Sequence, residues 1–234
     1  MSHHPPVSRL LFVGVLTVVP LLTVSAQTTP PPRTPVGAAE LFACLPPAIR
    51  EWQLTQSQAK STFSEWLKTE ATREFTGPPP PLTPGSTTVG PPPKTKITII
   101  DTGFYPAFCG VFQDFQPGPA EGGIEKLMVS SLPATRSAAA DGSVQLQAFV
   151  ARRFIVRIRI DHQPGKKPDD WLSAVNLAGL NALATKGNAK LPDPLPMFVI
   201  DELNPKRSRS YQMEFTTEEE VAMSAASSVP PVKP

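Results

Sequence analysis

The chain has 234 residues, with 22 Lys and Arg against 20 Asp and Glu and a net charge of +2. So even a balance excludes bulk electrostatic attraction to nucleic acid or to an anionic membrane, and no nucleic-acid partner is expected. Its 30 prolines are more than double the average share of about 5% and they cluster, which predicts one domain with proline-rich flanks rather than several domains.

Residues 1–26 carry one firm positive charge, Arg9, then the apolar run LLFVGVLTVVPLLTV, then the small residues Ser25 and Ala26. This is the form of a secretory signal peptide, and the run is shorter than the roughly 20 apolar residues of a membrane helix. The expectation is cleavage near Gln27, export to the periplasm or extracellular space, and no stable membrane anchor afterwards. Residues 27–37 open as QTTPPPRT, a solvated linker of the polyproline type. AAELFACL reads as a short helix stopped by Pro46 and Pro47, and EWQLT as a short strand. Phe63, Trp66 and Leu67, at i, i+3 and i+4, predict a helix, and TEATREFT alternates as a strand. No regular element survives the proline and glycine of GPPPPLTPGSTTVGPPP, so residues 77–93 form a loop whose flanking strands can pair. Lys96 to Ile100 then reads as a strand turned by Asp101 and Gly103.

SVQLQAFVARRFIVRIRID, residues 143–161, is too long for one strand and must turn. With Ala151, Arg152 and Arg153 as a three-residue loop, Val150 faces Phe154, Ala148 faces Val156, Leu146 faces Ile158 and Val144 faces Ile160. Every pair on that face is apolar, whereas a two-residue turn sets Leu146 against Arg157, so the pattern selects the longer loop. The loop lacks the glycine such turns usually want. Pro168, Asp169 and Asp170 open a helix that Gly187 closes, with an apolar stripe through Trp171, Leu172, Val175 and Leu183. MFVID adds an edge strand, and residues 188–234 otherwise read as an extended or disordered tail.

The predicted fold is an α+β domain over residues 38–187, with about six or seven mostly antiparallel strands and packed helices. The succession EATREF, TIIDTG, LPATRS and FVARRFIVRIRI, followed by an amphipathic helix, resembles small exported bacterial domains of unknown function. That resemblance implies a fold and no catalytic residue. Such domains carry a Gly-Asp type turn where this chain has Ala151 and Arg152.

Ile99, Ile100, Asp101, Thr102 and Gly103 resemble the segment by which a retropepsin-like aspartic protease presents its catalytic Asp. The resemblance implies a homodimer, because two carboxylates must share a proton. The other apolar run ending in Asp, FVID at 198–201, lacks a following Gly, and Phe104 stands where a small residue belongs. The string therefore reads as a strand-ending turn, with catalysis by Asp101 as the alternative. A second alternative is anion binding on one strand face by Arg153, Arg157 and Arg159.

Cys44 and Cys109 are the only cysteines. In an oxidising compartment they are either a disulfide, worth roughly 4 kcal/mol in the chain-entropy model, or two separate buried thiols. His162 is the only histidine left after cleavage, so no metal site is expected. GPAEGG lacks the Lys of a phosphate loop, and no cofactor is expected. The overall expectation is a non-enzymatic binding or structural protein with an envelope partner.

Overall fold

A hairpin stands where Phe63, Trp66 and Leu67 predict a helix. β1 (Gln53–Phe63) and β2 (Leu67–Thr76) pair antiparallel along their length, and Phe63 opposes Leu67 at the closed end. The two apolar residues flank a turn, which gives them the spacing of a helical face by accident. Trp66, in that turn, stacks on Tyr105 with ring centroids 5.5 Å apart. The computed structural model describes residues 31–214 except 50, 65, 82–89, 110–111 and 113–114, and only the backbone of 106 and 109. The signal-like segment 1–26 lies outside the described residues, as does the tail from 215 onward.

α1 (Ala38–Phe42) precedes β1 and stops before Pro46. β3 (Lys94–Asp101) pairs with β2 across the proline-rich loop, with Thr76 opposite Lys94. A short helix α2 (Pro106–Cys109) leads into a meander of β4 (Gly118–Glu121), β5 (Ile124–Val129) and β6 (Leu132–Ala138). β7 (Val144–Val150) and β8 (Phe154–Asp161) form the long hairpin in the predicted register, from Val150 opposite Phe154 to Val144 opposite Ile160. Ala151 and Arg152 take φ values of 53° and 58°, so the turn is left-handed at two residues that have side chains.

The helix predicted from Pro168 to Gly187 is divided into α3 (Asp169–Leu172) and α4 (Leu177–Leu183). Asn176 breaks it: its side chain accepts from Gly179 N at 2.8 Å, and its own N–H donates to the Cys44 carbonyl at 2.9 Å. An asparagine that caps the second half cannot also continue the first. Beyond Gly187 the chain adds β9 (Leu195–Asp201) and β10 (Arg209–Met213). β9 is an interior strand, because β10 covers its outer edge.

The ten strands of the described residues join one antiparallel sheet in the order β10-β9-β1-β2-β3-β8-β7-β6-β5-β4. The expected α+β domain of six or seven strands is thus corrected to a β-dominated fold with a few short helices. Three things raise the strand count and lower the helix content: the β1–β2 hairpin replaces a helix, the meander fills residues 118–138, and the chain past 187 is partly strand. α1, α3 and α4 cover one face of the sheet, where Phe75, Ile97, Ile99, Leu146, Val156 and Ile158 meet Leu41, Leu172 and Leu180. Each such side chain contributes about 1.5–3 kcal/mol by leaving water. The opposite face of the central strands is polar.

Candidate functional site

β3 ends in Asp101 opposite Phe154, and the residue before Phe154 is Arg153. Arg153 Nε donates to Asp101 Oδ1 at 2.8 Å and Nη2 donates to Oδ2 at 2.7 Å, and neither side chain exposes any surface. The remaining capacity of both groups is filled. Asp101 accepts from Val36 N at 2.7 Å and from Gly103 N at 2.9 Å. Arg153 Nη1 donates to the carbonyls of Ala184 and Lys186 at 3.0 and 2.5 Å, at the C-terminal end of α4, and Nη2 to Thr34 O at 3.1 Å. Its guanidinium also lies 5.5 Å and 5.2 Å from the Phe104 and Phe154 ring centres. This is a structural tie between four parts of the chain, since water reaches neither charge.

The FVID carboxylate, Asp201, stands on β9, three strand positions from β3, and so at least about 14 Å from Asp101 at the usual strand spacing. It accepts from Leu203 N and Asn204 N at 3.1 and 3.0 Å and shapes a turn. The two Asp residues therefore form no dyad within the chain.

Of the three arginines assigned to one strand face, Arg153 does not belong: it sits in the hairpin loop and turns inward to Asp101. Arg157 and Arg159 do share the open face. Cross-strand register places Gln58, Thr72, Thr98, Arg157, Gln147, Thr135 and Lys126 opposite one another in turn across β1, β2, β3, β8, β7, β6 and β5. A parallel row runs Gln56, Glu74, Lys96, Arg159, Gln145 and Ser137. Strand periodicity puts both rows on the face away from the helices. A third row ends in Ile100, Ile155 and Phe149, and Phe112 stacks on Phe149 at 4.7 Å to close that corner. Between the rows lies a shallow depression of about 360 Å³, lined by Gln58, Thr72, Lys96, Thr98, Arg157 and Arg159 among others.

The two arginines differ in how they are held. Arg159 donates to Asp161 at 3.0 Å and to Asp141 at 2.9 Å, and the Asp161 hydrogen bond raises its pKa further. Asp141 in turn is held below the ordinary carboxylate range, first by hydrogen bonds from Ser143 and then by Arg159. Arg157 has no ion pair among the described residues, and its Nε is buried without a hydrogen-bond partner. Its cross-strand neighbours, Thr98 and Gln147, are neutral. Thr98 is engaged with Thr72, their hydroxyls 2.9 Å apart. A buried N–H with no acceptor costs on the order of 1–3 kcal/mol, and native structures hold few of them.

The chain matches no family model, no curated protein and no solved structure.

A second depression, about 530 Å³, lies beside α1 between Phe42, Leu45, Pro47 and Ile200. Its polar floor is already engaged. Arg73 donates to Ser57 Oγ, to the Leu45 and Pro46 carbonyls and to Glu202 Oε2, and Ser57 bonds the same carboxylate oxygen. Cys44 is a buried thiol in no disulfide among the described residues, the side chain of its expected partner Cys109 lying outside them, and burial raises its pKa, with Glu40 adding to the effect. Among the described residues no group of three metal-ligating side chains assembles, and no helix is long and apolar enough to cross a membrane.

Lys96, Lys126, Thr72, Thr98 and Gln58 were not singled out by sequence reasoning. Their signal was present in the alternation of β2 and β3. It became a site only when register joined those strands to β8.

Proposed function

We propose that this chain is an exported, non-enzymatic binding domain whose open sheet face holds an anionic ligand at Arg157. The observation that carries the reading is the depression of about 360 Å³ in which Arg157, without an ion pair among the described residues, stands with Lys96 and Arg159, while Glu70 on the same depression is paired with Lys60 and Lys68. Asp141 and Asp161 are paired with Arg159, and Glu70 with Lys60 and Lys68, so none of these carboxylates forms an ion pair with Arg157. A guanidinium offers a planar fork of donors suited to a carboxylate, sulfate or phosphate. Export rests on the signal-like leader. Peptide cleavage at Asp101 has no support from the site, because that carboxylate is sealed from water and shared by no second acid.

The test is retention on immobilised heparin, eluted with a salt gradient. The parent chain is expected to bind and to elute at lower salt once Arg157 is replaced by Ala. Unchanged elution of Arg157→Ala, or of a variant that also carries Arg159→Ala, would overturn the reading.

A further inference from the structure

The two ends of the sheet are finished differently. At one end β4 is four residues long, contains Pro119 and is bulged against β5. Such features guard an edge against further pairing. At the other end β10 has β9 on one side only, contains no proline and keeps an unbroken register from Arg209 opposite Val199 to Met213 opposite Leu195.

The direction of the free backbone groups of β10 follows from β9. Phe198 N–H donates to Ser61 Oγ at 2.8 Å and Glu202 N–H to Ser57 O at 2.9 Å, both towards β1. Alternation then turns Leu195, Met197 and Val199 towards β10, where they engage Met213, Tyr211 and Arg209. Pro196, opposite Gln212, has no N–H to offer. Ser210 and Gln212 therefore aim their N–H and C=O groups at the open edge, and both residues are exposed.

The side chains of this edge complement their own reverse. Tyr211 is 52% exposed, on the same face of β10 as Met213, which packs against the cluster of Trp66, Leu195 and Met197. An exposed ring beside a packed methionine is what a further strand covers. Lys206, Arg207 and Arg209 stand at the start of the strand, exposed and in no ion pair among the described residues. Glu214 follows its end, and Glu218, Glu219 and Glu220 come next in the sequence. Antiparallel pairing with the same strand brings each basic start to the other's acidic end, whereas parallel pairing sets like charges together. An acidic peptide of another protein would match only the basic start and would oppose Glu214.

We propose that β10 pairs antiparallel with the β10 of a second copy of this chain, making one continuous sheet across a twofold axis. Outward-facing residues must oppose outward-facing ones, and centring on Tyr211 is the register that pairs all of β10. Ser210 of each copy then exchanges backbone hydrogen bonds with Gln212 of the other, and Tyr211 meets its equivalent at the axis. The axis stands perpendicular to the sheet, so the two open faces, with their Arg157 depressions, look the same way. The pairing does not depend on what those depressions bind. A pair of five-residue strands falls below the roughly 1,200 Å² of a standard interface, so the dimer forms reversibly with concentration.

Sedimentation velocity of the mature chain at concentrations up to about 100 μM is expected to show the mass rising from one chain to two and stopping there. Gln212→Pro removes an N–H that β9 does not use, and Tyr211→Lys opposes like charges at the axis. Each is expected to weaken the dimer at least about tenfold with an unchanged circular dichroism spectrum. Amide exchange at Ser210 and Gln212 should slow as the parent chain is concentrated.

A parent chain that stays single at every concentration would overturn the proposal. So would protection of the Ser210 and Gln212 amides that is the same at all concentrations, because another segment of the same chain would then cover the edge. A dimer that survives Tyr211→Lys, or Gln212→Pro with its fold intact, would place the interface elsewhere. Mass that climbs past two chains would replace the closed pair by head-to-tail pairing of β10 with β4.

Discussion

Arg153 and Asp101 meet in a two-point ion pair that no solvent touches, and the pair joins the end of β3 to the β7–β8 hairpin. Asp101→Asn keeps the shape and removes the charge, which leaves a buried guanidinium uncompensated. The expected loss is about 3–5 kcal/mol, and Arg153→Met should lose a comparable amount. Urea unfolding of each variant reads this directly, and a loss below about 1 kcal/mol would mean that the pair is not sealed. The same Asp101→Asn chain, compared with the parent on an unstructured protein at acidic pH, is expected to show equal absence of cleavage.

The hairpin turn makes a separate prediction. Ala151 and Arg152 lie in the left-handed region, where a side chain is strained and glycine is not. Ala151→Gly removes the Cβ strain and loosens the unfolded chain, and the net is expected to be a gain of about 0.5–1 kcal/mol. A stabilised variant with unchanged cross-strand register, seen in amide exchange, supports this turn. A destabilised one would place Ala151 in an ordinary conformation.

How much was legible in the sequence follows from the range of the interaction in question. The β7–β8 register was readable because a one-residue slip mixes Leu146 with Arg157, so local alternation decides it. The Asn176 break was harder to see, because it depends on a carbonyl far away in sequence at Cys44. The same holds for Arg153. Its sequence neighbours suggest an outward row of arginines, and only the arrival of Asp101, 52 residues away in sequence, draws it inward. Arg157 was readable as an outward cation, but the lack of an ion pair was not, since that depends on which residues β3 and β7 set beside it. Helix content was overestimated because apolar spacing at a hairpin mouth, as at Phe63 and Leu67, copies the spacing of a helix face.

Gly103 carries the strap that lies over the buried pair. At φ 58° it faces Arg33, whose N–H donates to the Gly103 carbonyl at 2.7 Å, and a Cβ there would sit 2.1 Å from the Arg33 carbonyl oxygen. Backbone cannot yield as a flexible side chain can, so Gly103→Ala should displace residues 33–36 as well as strain the turn. The expected loss is about 1–3 kcal/mol, with Val36 no longer bonded to Asp101. Trypsin should then cut after Arg33 faster than in the parent chain, at concentrations that leave the rest of the fold intact. Equal rates of cutting at Arg33 would show that the strap is held independently of Gly103.

Cys44 supplies a pH dependence whose sign is fixed by burial. Its thiol is neutral when protonated, so burial favours that form and raises the folded pKa above its ordinary value of about 8.5. The stabilising contribution is therefore complete below the unfolded value and is lost as pH rises through the higher folded one. Parent and Cys44→Ala chains are expected to differ in stability by about 1 kcal/mol at pH 7, and the gap should narrow by pH 10. A gap that widens with pH would mean that the thiolate is the favoured form. Alkylation followed by peptide mass analysis adds the second half of the test: Cys44 should react slowly in the native chain and fully in denaturant without reductant. A Cys44 that still resists alkylation after denaturation, and reacts only after reduction, would show that it is paired with Cys109 in the isolated protein.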